Sequence, residues 1–259
     1  MKNIVAASDL SERSKPSVQR AIHLAAASGA RLTVVHVVDD SMPPDLSDQL
    51  KAGAKTLLSD QIAAQMAGRE LDTDVHVATG DPMEAVKRIV EETDADLLVL
   101  GIHRRRTFFD HVRETTMEHL VRSSRVPVLL AMAPADDPYA RVLSGVDLSR
   151  VCASALHKIA MVAPEAELTL FHAHEISFRT EAEQDYETWK AMYALPKNLP
   201  RPTFIEATAR DALDDMMEDR TYDLLAIGAH TRSNAGRYIL GGFSAGLIRK
   251  PPCDLLLAK

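Results

Sequence analysis

The chain has 259 residues, 46% hydrophobic and 26% charged, which is enough apolar material for one large core or two small ones. A net charge of −7 argues against nucleic acid or an anionic membrane as the main partner. No apolar run approaches the roughly 18 residues of a membrane helix, and MKNIVAASDLSERSK has too short an apolar core for a signal peptide, so the expected location is the cytoplasm.

The first predicted strands are "NIVAAS" and "RLTVVHVV", short, rich in β-branched residues and almost continuously apolar. That is the pattern of strands buried on both faces of a parallel sheet. Between them Val18, Ala21, Ile22, Ala25 and Ala26 recur at helical spacing, and Gly29 stands where the helix should stop. A long helical stretch around residues 46 to 67 follows, then the strand "DVHVAT" and the helix "PMEAVKRIVEE". "DLLVLG", a variable loop, the helix "TMEHLVRSS" and the strand "VPVLLAM" complete an alternating β/α order, which predicts a doubly wound α/β sheet.

The second half repeats the first. "NIVAASDLSERS" is echoed by "RVLSGVDLSRVC", "RLTVVHVVDD" by "ELTLFHAHEI", "DADLLVLGIHRR" by "TYDLLAIGAHTR" and "RVPVLLAM" by "PCDLLLAK". Four matches in one order are not chance. The offset shrinks from 138 at Asp9/Asp147 to 127 at Gly101/Gly228, so the second copy has lost residues in its middle, leaving Trp189 in a shortened second helix. Domains are expected at 1–133 and 141–259, joined by an exposed linker, 134–140, whose prolines and acidic pair suit that role. Each should be a five-stranded parallel sheet of order 3-2-1-4-5 with helices on both faces.

In such sheets ligands bind at the carboxyl ends of the strands, where the strand order reverses. Asp9 and Asp147 end strand 1, and Gly101 and Gly228 end strand 4, so the repeated residues converge on one crevice per copy. The competing reading of Asp9-Leu10-Ser11 is a turn and helix cap. His103 and His230 follow strand 4 closely enough to touch a phosphate or ribose, or to bond to backbone instead. His36 and His172 end strand 2 and are expected to satisfy local backbone groups. No Ser-His-Asp triad or acid/base carboxylate pair stands out. Cys152 and Cys253 have no CxxC or CxxH partner, so packing rather than a disulfide or metal site is expected.

These residues carry a resemblance. The early Asp-hydroxyl turn, the "HV" ending strand 2, the glycine after strand 4 and the terminal "PVLL" or "CDLLLA" strand are similar to the universal stress protein family, two domains of which would cover nearly the whole chain. The resemblance implies a regulatory, stress-response role. It also implies an adenine nucleotide, ATP or AMP with or without Mg2+, since the family divides into members that bind one and members that do not. Binding members carry Gly-x-x-Gly, nine residues, then Gly-Ser or Gly-Thr. In the second copy Gly228 and Gly241 follow that pattern, Thr231 and Gly242 depart from it, and Ser244 and Arg232 are candidates to compensate for the hydroxyl absent at Gly242. In the first copy Gly101 is kept, Arg104 and Glu114 replace later glycines, and Thr115 and Thr116 follow. A carboxylate at Glu114 disfavours a phosphate, while Arg104-Arg105-Arg106 is an anion-attracting run or a solvated patch.

The implied contacts in the second copy are Asp147, Ala173, Gly228, His230, Thr231, Arg232, Gly241, Gly242, Phe243 and Ser244, and this copy is expected to be the better site. Those in the first are Ala7, Asp9, Val37, Gly101, His103, Arg104, Thr115 and Thr116. The resemblance further implies pairing through the last strand of each copy, an intramolecular pseudo-dimer, with further oligomerisation left open. Two other readings stand beside it. One is a nucleotide-independent module for an unidentified protein partner. The other is an adenine-nucleotide α-hydrolase-like enzyme, suggested by the likeness of "LSGVDLS" to the SGG-x-D-S loop of ATP-pyrophosphatases, although the second glycine and a substrate domain are absent.

Overall fold

The computed structural model describes residues 1–66, 70–102, 116–132, 134, 137–174, 179–229, 231–234 and 237–258. The chain divides into two compact units, Met1–Pro138 and Tyr139–Lys259. The first contains β1 (Asn3–Ala7), α1 (Lys15–Ser28), β2 (Arg31–Val38), α2 (Pro44–Met66), β3 (Thr73–Thr79), α3 (Pro82–Glu92), β4 (Leu97–Gly101), α4 (Thr116–Ser123) and β5 (Val128–Ala131). Its strands are parallel in the order β3-β2-β1-β4-β5. The central strands are apolar because both faces are covered: Ile4, Val5, Ala6, Leu97, Leu98 and Val99 are at most 1% exposed.

The second unit contains β6 (Arg141–Gly145), α5 (Arg150–Val162), β7 (Glu167–His174), α6 (Arg179–Met192), β8 (Thr203–Glu206), α7 (Ala209–Asp219), β9 (Leu224–Gly228), α8 (Gly242–Arg249) and β12 (Asp254–Ala258). Strand order β8-β7-β6-β9-β12 repeats that of the first unit. The shortened second helix is α6, 14 residues against 23 in α2. One element was not anticipated. The stretch between Gly228 and Gly241, expected as loop, holds an antiparallel pair, β10 (Thr231–Asn234) and β11 (Arg237–Leu240), in register Thr231↔Leu240. Its sequence signal is the turn-favouring "NAG" between Thr231 and the β-formers Tyr238 and Ile239.

The two units start their first strand in the same way. The Asp96 carboxylate accepts the N–H groups of Lys2 and Asn3, and the Asp223 carboxylate accepts those of Ala140 and Arg141. The acid of the repeated "DLL" motif thus ties the head of β4 or β9 to the head of β1 or β6. The expected linker is held rather than free at several positions. Buried Arg20 donates to the Asp137 carbonyl at 2.8 Å. Tyr139 is only 3% exposed and its hydroxyl donates to Asp254 at 2.7 Å.

At the other end of the sheet, β4 and β9 finish against the backbone that opens the first helix. A Cβ at Gly101 would lie 2.7 Å from the Arg13 carbonyl oxygen, and one at Gly228 would lie 3.0 Å from the Cys152 nitrogen. Both obstacles are backbone, which cannot swing aside as a side chain can. We therefore expect Gly101→Ala to destabilise the first unit by about 1–3 kcal/mol through overpacking, and Gly228→Ala to cost less. Denaturant unfolding of the two variants checks the order.

Candidate functional site

The carboxyl ends of β1 and β6 are followed by the same Asp-Leu-Ser turn. The Asp9 carboxylate accepts the Ser11 N–H at 3.0 Å and the Ser11 hydroxyl at 2.6 Å. Asp147 accepts the Ser149 N–H at 3.1 Å. The residue between them has a left-handed backbone in both copies, φ 61° at Leu10 and 59° at Leu148. A branched side chain rarely adopts that conformation unprompted, so the Asp–Ser bond spanning it is what holds the turn. Neither aspartate caps a helix. Ser149 caps α5, accepting the Cys152 N–H at 3.1 Å. In the first copy α1 starts only at Lys15, and Pro16, which has no N–H to give to a preceding turn, sits in its first turn.

The histidines that end strand 2 strap this turn down. Nδ1–H of His36 donates to the Ser8 carbonyl at 2.9 Å, and Nδ1–H of His172 to the Val146 carbonyl at 2.6 Å. The expected backbone role of both is what the geometry shows.

In the first copy these elements enclose a cleft of about 420 Å³. Its walls are Ala7, Ser8 and Asp9 after β1, Arg13 and Ser14 before α1, and Val35, His36 and Val37 on β2. Pro82 and Val86 of α3, Leu100 and Gly101 of β4, Ile102 just after it, and Met117 and Leu120 of α4 close it. Four residues proposed from sequence, Ala7, Asp9, Val37 and Gly101, meet there. Arg13, Val35 and the α3 and α4 side chains were missed. Val86 and Leu120 fall on helices expected from the sequence, but only strand-helix geometry turns them toward a crevice. His103, Arg104, Arg105, Arg106, Glu114 and Thr115 lie outside the described residues, as does the side chain of Thr116.

The second copy has the same scaffold with different contents. At the positions of Ala7 and Val35 stand Gly145 and Phe171, paired across β6 and β7. A Cβ at Gly145 would lie 3.0 Å from the Phe171 ring, which is 2% exposed, so the missing methyl is what admits the ring. Trp189 of α6 donates its indole N–H to the Ser149 carbonyl at 2.9 Å, against the turn itself. Tyr186, Tyr193, Phe204 and His172 extend this aromatic cluster. Where the first copy has Ser14 the second has Cys152, whose thiol donates to the Gly145 carbonyl at 3.3 Å. Burial, aided by the nearby Asp147 charge, pushes that thiol up to about 12, so it stays protonated near neutrality and packs rather than reacts.

Of the residues proposed for the second copy, Asp147 is exposed on its turn, Ala173 is half-buried on β7, and Gly228 ends β9 against α5. Gly241 and Gly242 open α8 with no neighbour within 4 Å of an added Cβ. Phe243 is half-buried, and Ser244 is 4% exposed in the first turn of α8. Thr231 and Arg232 stand on β10, their side chains outside the described residues together with His230. Among the described residues no three His, Cys, Asp or Glu gather as a metal site, and no helix is long and apolar enough to cross a membrane.

Comparison with known proteins adds to this geometry. The chain is 29% identical over 113 residues to universal stress protein A homolog 1 of Coxiella burnetii (strain RSA 493 / Nine Mile phase I), a match covering 39% of this chain and 76% of that protein. Its fold is similar to the crystal structure of a universal stress protein from Archaeoglobus fulgidus DSM 4304, with TM-score 0.77 and 18% identity, covering 99% of this chain and 98% of the other. It is also similar to a functionally unknown protein from Pseudomonas aeruginosa PAO1, with TM-score 0.68 and 16% identity, covering 99% and 92%. The model of the universal stress protein family matches residues 1–131 and again 138–259, which is the repeat read from the sequence and the unit of the fold, and the chain belongs to that family in tandem form.

Proposed function

We propose that the protein is a regulatory, stress-response member of its family that binds an adenine nucleotide in the cleft of its first copy. The observation that carries this reading is the contrast between the copies: Ala7 and Val35 line about 420 Å³ in the first, and their counterparts in the second are Gly145 and a buried Phe171, with Trp189 bonded to the neighbouring turn. That volume lies within the roughly 300–1,000 Å³ of small-ligand clefts. Val35, Val37, Leu100 and Ile102 supply apolar surface suited to a planar base, and the polar groups gather at the Ser8-Asp9 turn and Arg13. The chain's own residues bind and orient; no group placed there acts as an acid, base or nucleophile in this reading.

A second reading keeps the nucleotide in the second copy. Helix α8 begins at Gly241 with no side-chain cap, and neither Gly241 nor Gly242 is demanded by packing, whereas Gly228 is. Unoccupied N–H groups at a helix start favour an anion, and a glycine there otherwise only weakens the helix.

Thermal unfolding of the full chain with ATP, ADP and AMP decides between them. Ligand at 100 times its Kd should add about 2.7 kcal/mol of stability. The double substitution Ala7→Gly/Val35→Phe, which copies the Gly145/Phe171 pair into the first copy, is expected to abolish that gain, and Gly241→Glu to leave it. The reverse pattern would place the ligand in the second copy. No stabilisation of the wild-type chain by any of the three would speak for a nucleotide-independent interaction module. A further expectation separates fold from binding: Ser149→Ala should cost about 0.5–2 kcal/mol as a lost helix cap without changing the nucleotide response.

A further inference from the structure

We infer that Arg13 is the anion-recognising side chain of the first copy's cleft, an assignment that rests on the nucleotide reading of that cleft. Among the described residues, the Asp, Glu, Lys and Arg that line it are Asp9 and Arg13. Asp9 already accepts two hydrogen bonds from Ser11 through one oxygen, and it offers an anion only repulsion. Arg13 is half-buried and makes no ion pair among the described residues. Its acidic neighbour Glu12 is held by Lys15 at 2.6 Å.

The backbone of Arg13 is fixed from two sides. Its N–H donates to the Ser11 hydroxyl at 3.3 Å, and its carbonyl oxygen lies against Gly101 at the end of β4. The side chain therefore starts from a rigid point beside the strand end where the crevice opens, which lowers the entropy lost on fixing a ligand. A guanidinium matches the oxygens of a phosphate in a two-pronged geometry that a lysine does not reproduce.

One sequence difference agrees with this placement. The second copy, whose crevice carries Phe171, has Val151 at the position of Arg13, packed against Gly228. The cation stands in the copy whose cleft is described, and an apolar residue takes its position in the other. The ligand class is thus an apolar planar body carrying a phosphate, rather than a neutral nucleoside.

Calorimetric titration of the full chain with adenosine and with AMP tests the assignment in wild type, Arg13→Gln and Arg13→Lys. We expect wild type to bind AMP more tightly than adenosine. Arg13→Gln should raise the AMP Kd about tenfold or more and leave adenosine unchanged, and Arg13→Lys should recover part of the loss. If Arg13→Gln weakens both ligands equally, or neither, the assignment is overturned while the cleft reading stands. If wild type binds neither ligand, the cleft reading falls and takes the assignment with it.

Discussion

The crevice of each copy depends on how closely the end of the fourth strand can approach the start of the first helix. The Arg13 carbonyl oxygen occupies space that a side chain at Gly101 would need, and the Cys152 nitrogen does the same at Gly228. With that approach secured, the Asp-Leu-Ser turn is confined between strand ends, and the strand-2 histidine can reach its carbonyl from the far side. Gly101 therefore has a packing reason that needs no ligand, and Gly228 a weaker one of the same kind.

From this shared frame the copies diverge by filling rather than by topology. A methyl exchanged for a hydrogen at Gly145 admits the Phe171 ring, and a tryptophan from α6 settles on the neighbouring turn. Close packing leaves little middle ground here: a crevice is either lined or filled, and one methyl at its base is enough to decide. Polar character follows the same division. Ser8 and Ser14 share a hydrogen bond at 3.0 Å beneath the first cleft, while Cys152 in the second is buried with its thiol protonated. A tandem chain can tolerate this because one copy can keep the open cleft while the other turns its conserved frame to packing.

The ends of the repeat are fastened by equivalent means. Asp96 and Asp223 each gather two N–H groups at the head of a first strand, groups that would otherwise precede the sheet without partners. Charge-assisted acceptance of two donors makes such a contact stronger than a neutral turn bond. The residues between the units are held at both sides of Pro138, through Arg20 to the Asp137 carbonyl and through Tyr139 to Asp254. Composition read this stretch as an exposed linker; Pro134, Asp137, Pro138 and Ala140 are exposed, and Tyr139 is the buried residue among those described there.

The sequence by itself determined the repeat, the alternation of strands and helices, and nearly every helix. These follow from short-range patterns: continuous apolar runs in β1 and β4, helical spacing from Val18 to Ala25, a left-handed stop at Gly29 and the Asp81-Pro82 opening of α3. The backbone roles of His36 and His172 were legible too, because position at a strand end narrows their partners. What tertiary structure decided was occupancy of space. Phe171 reads as one more apolar strand residue, and only its pairing with Gly145 shows that its ring packs over a position that has no side chain. Arg13 reads as one charge in a polar turn, and only the approach of β4 places it on a cleft. The β10–β11 pair was missed because a four-residue strand lacks enough alternation to be distinguished from loop. Periodicity reports which face of an element is apolar. Whether that face meets a neighbour or a void depends on side-chain volumes brought together from residues far apart in the chain.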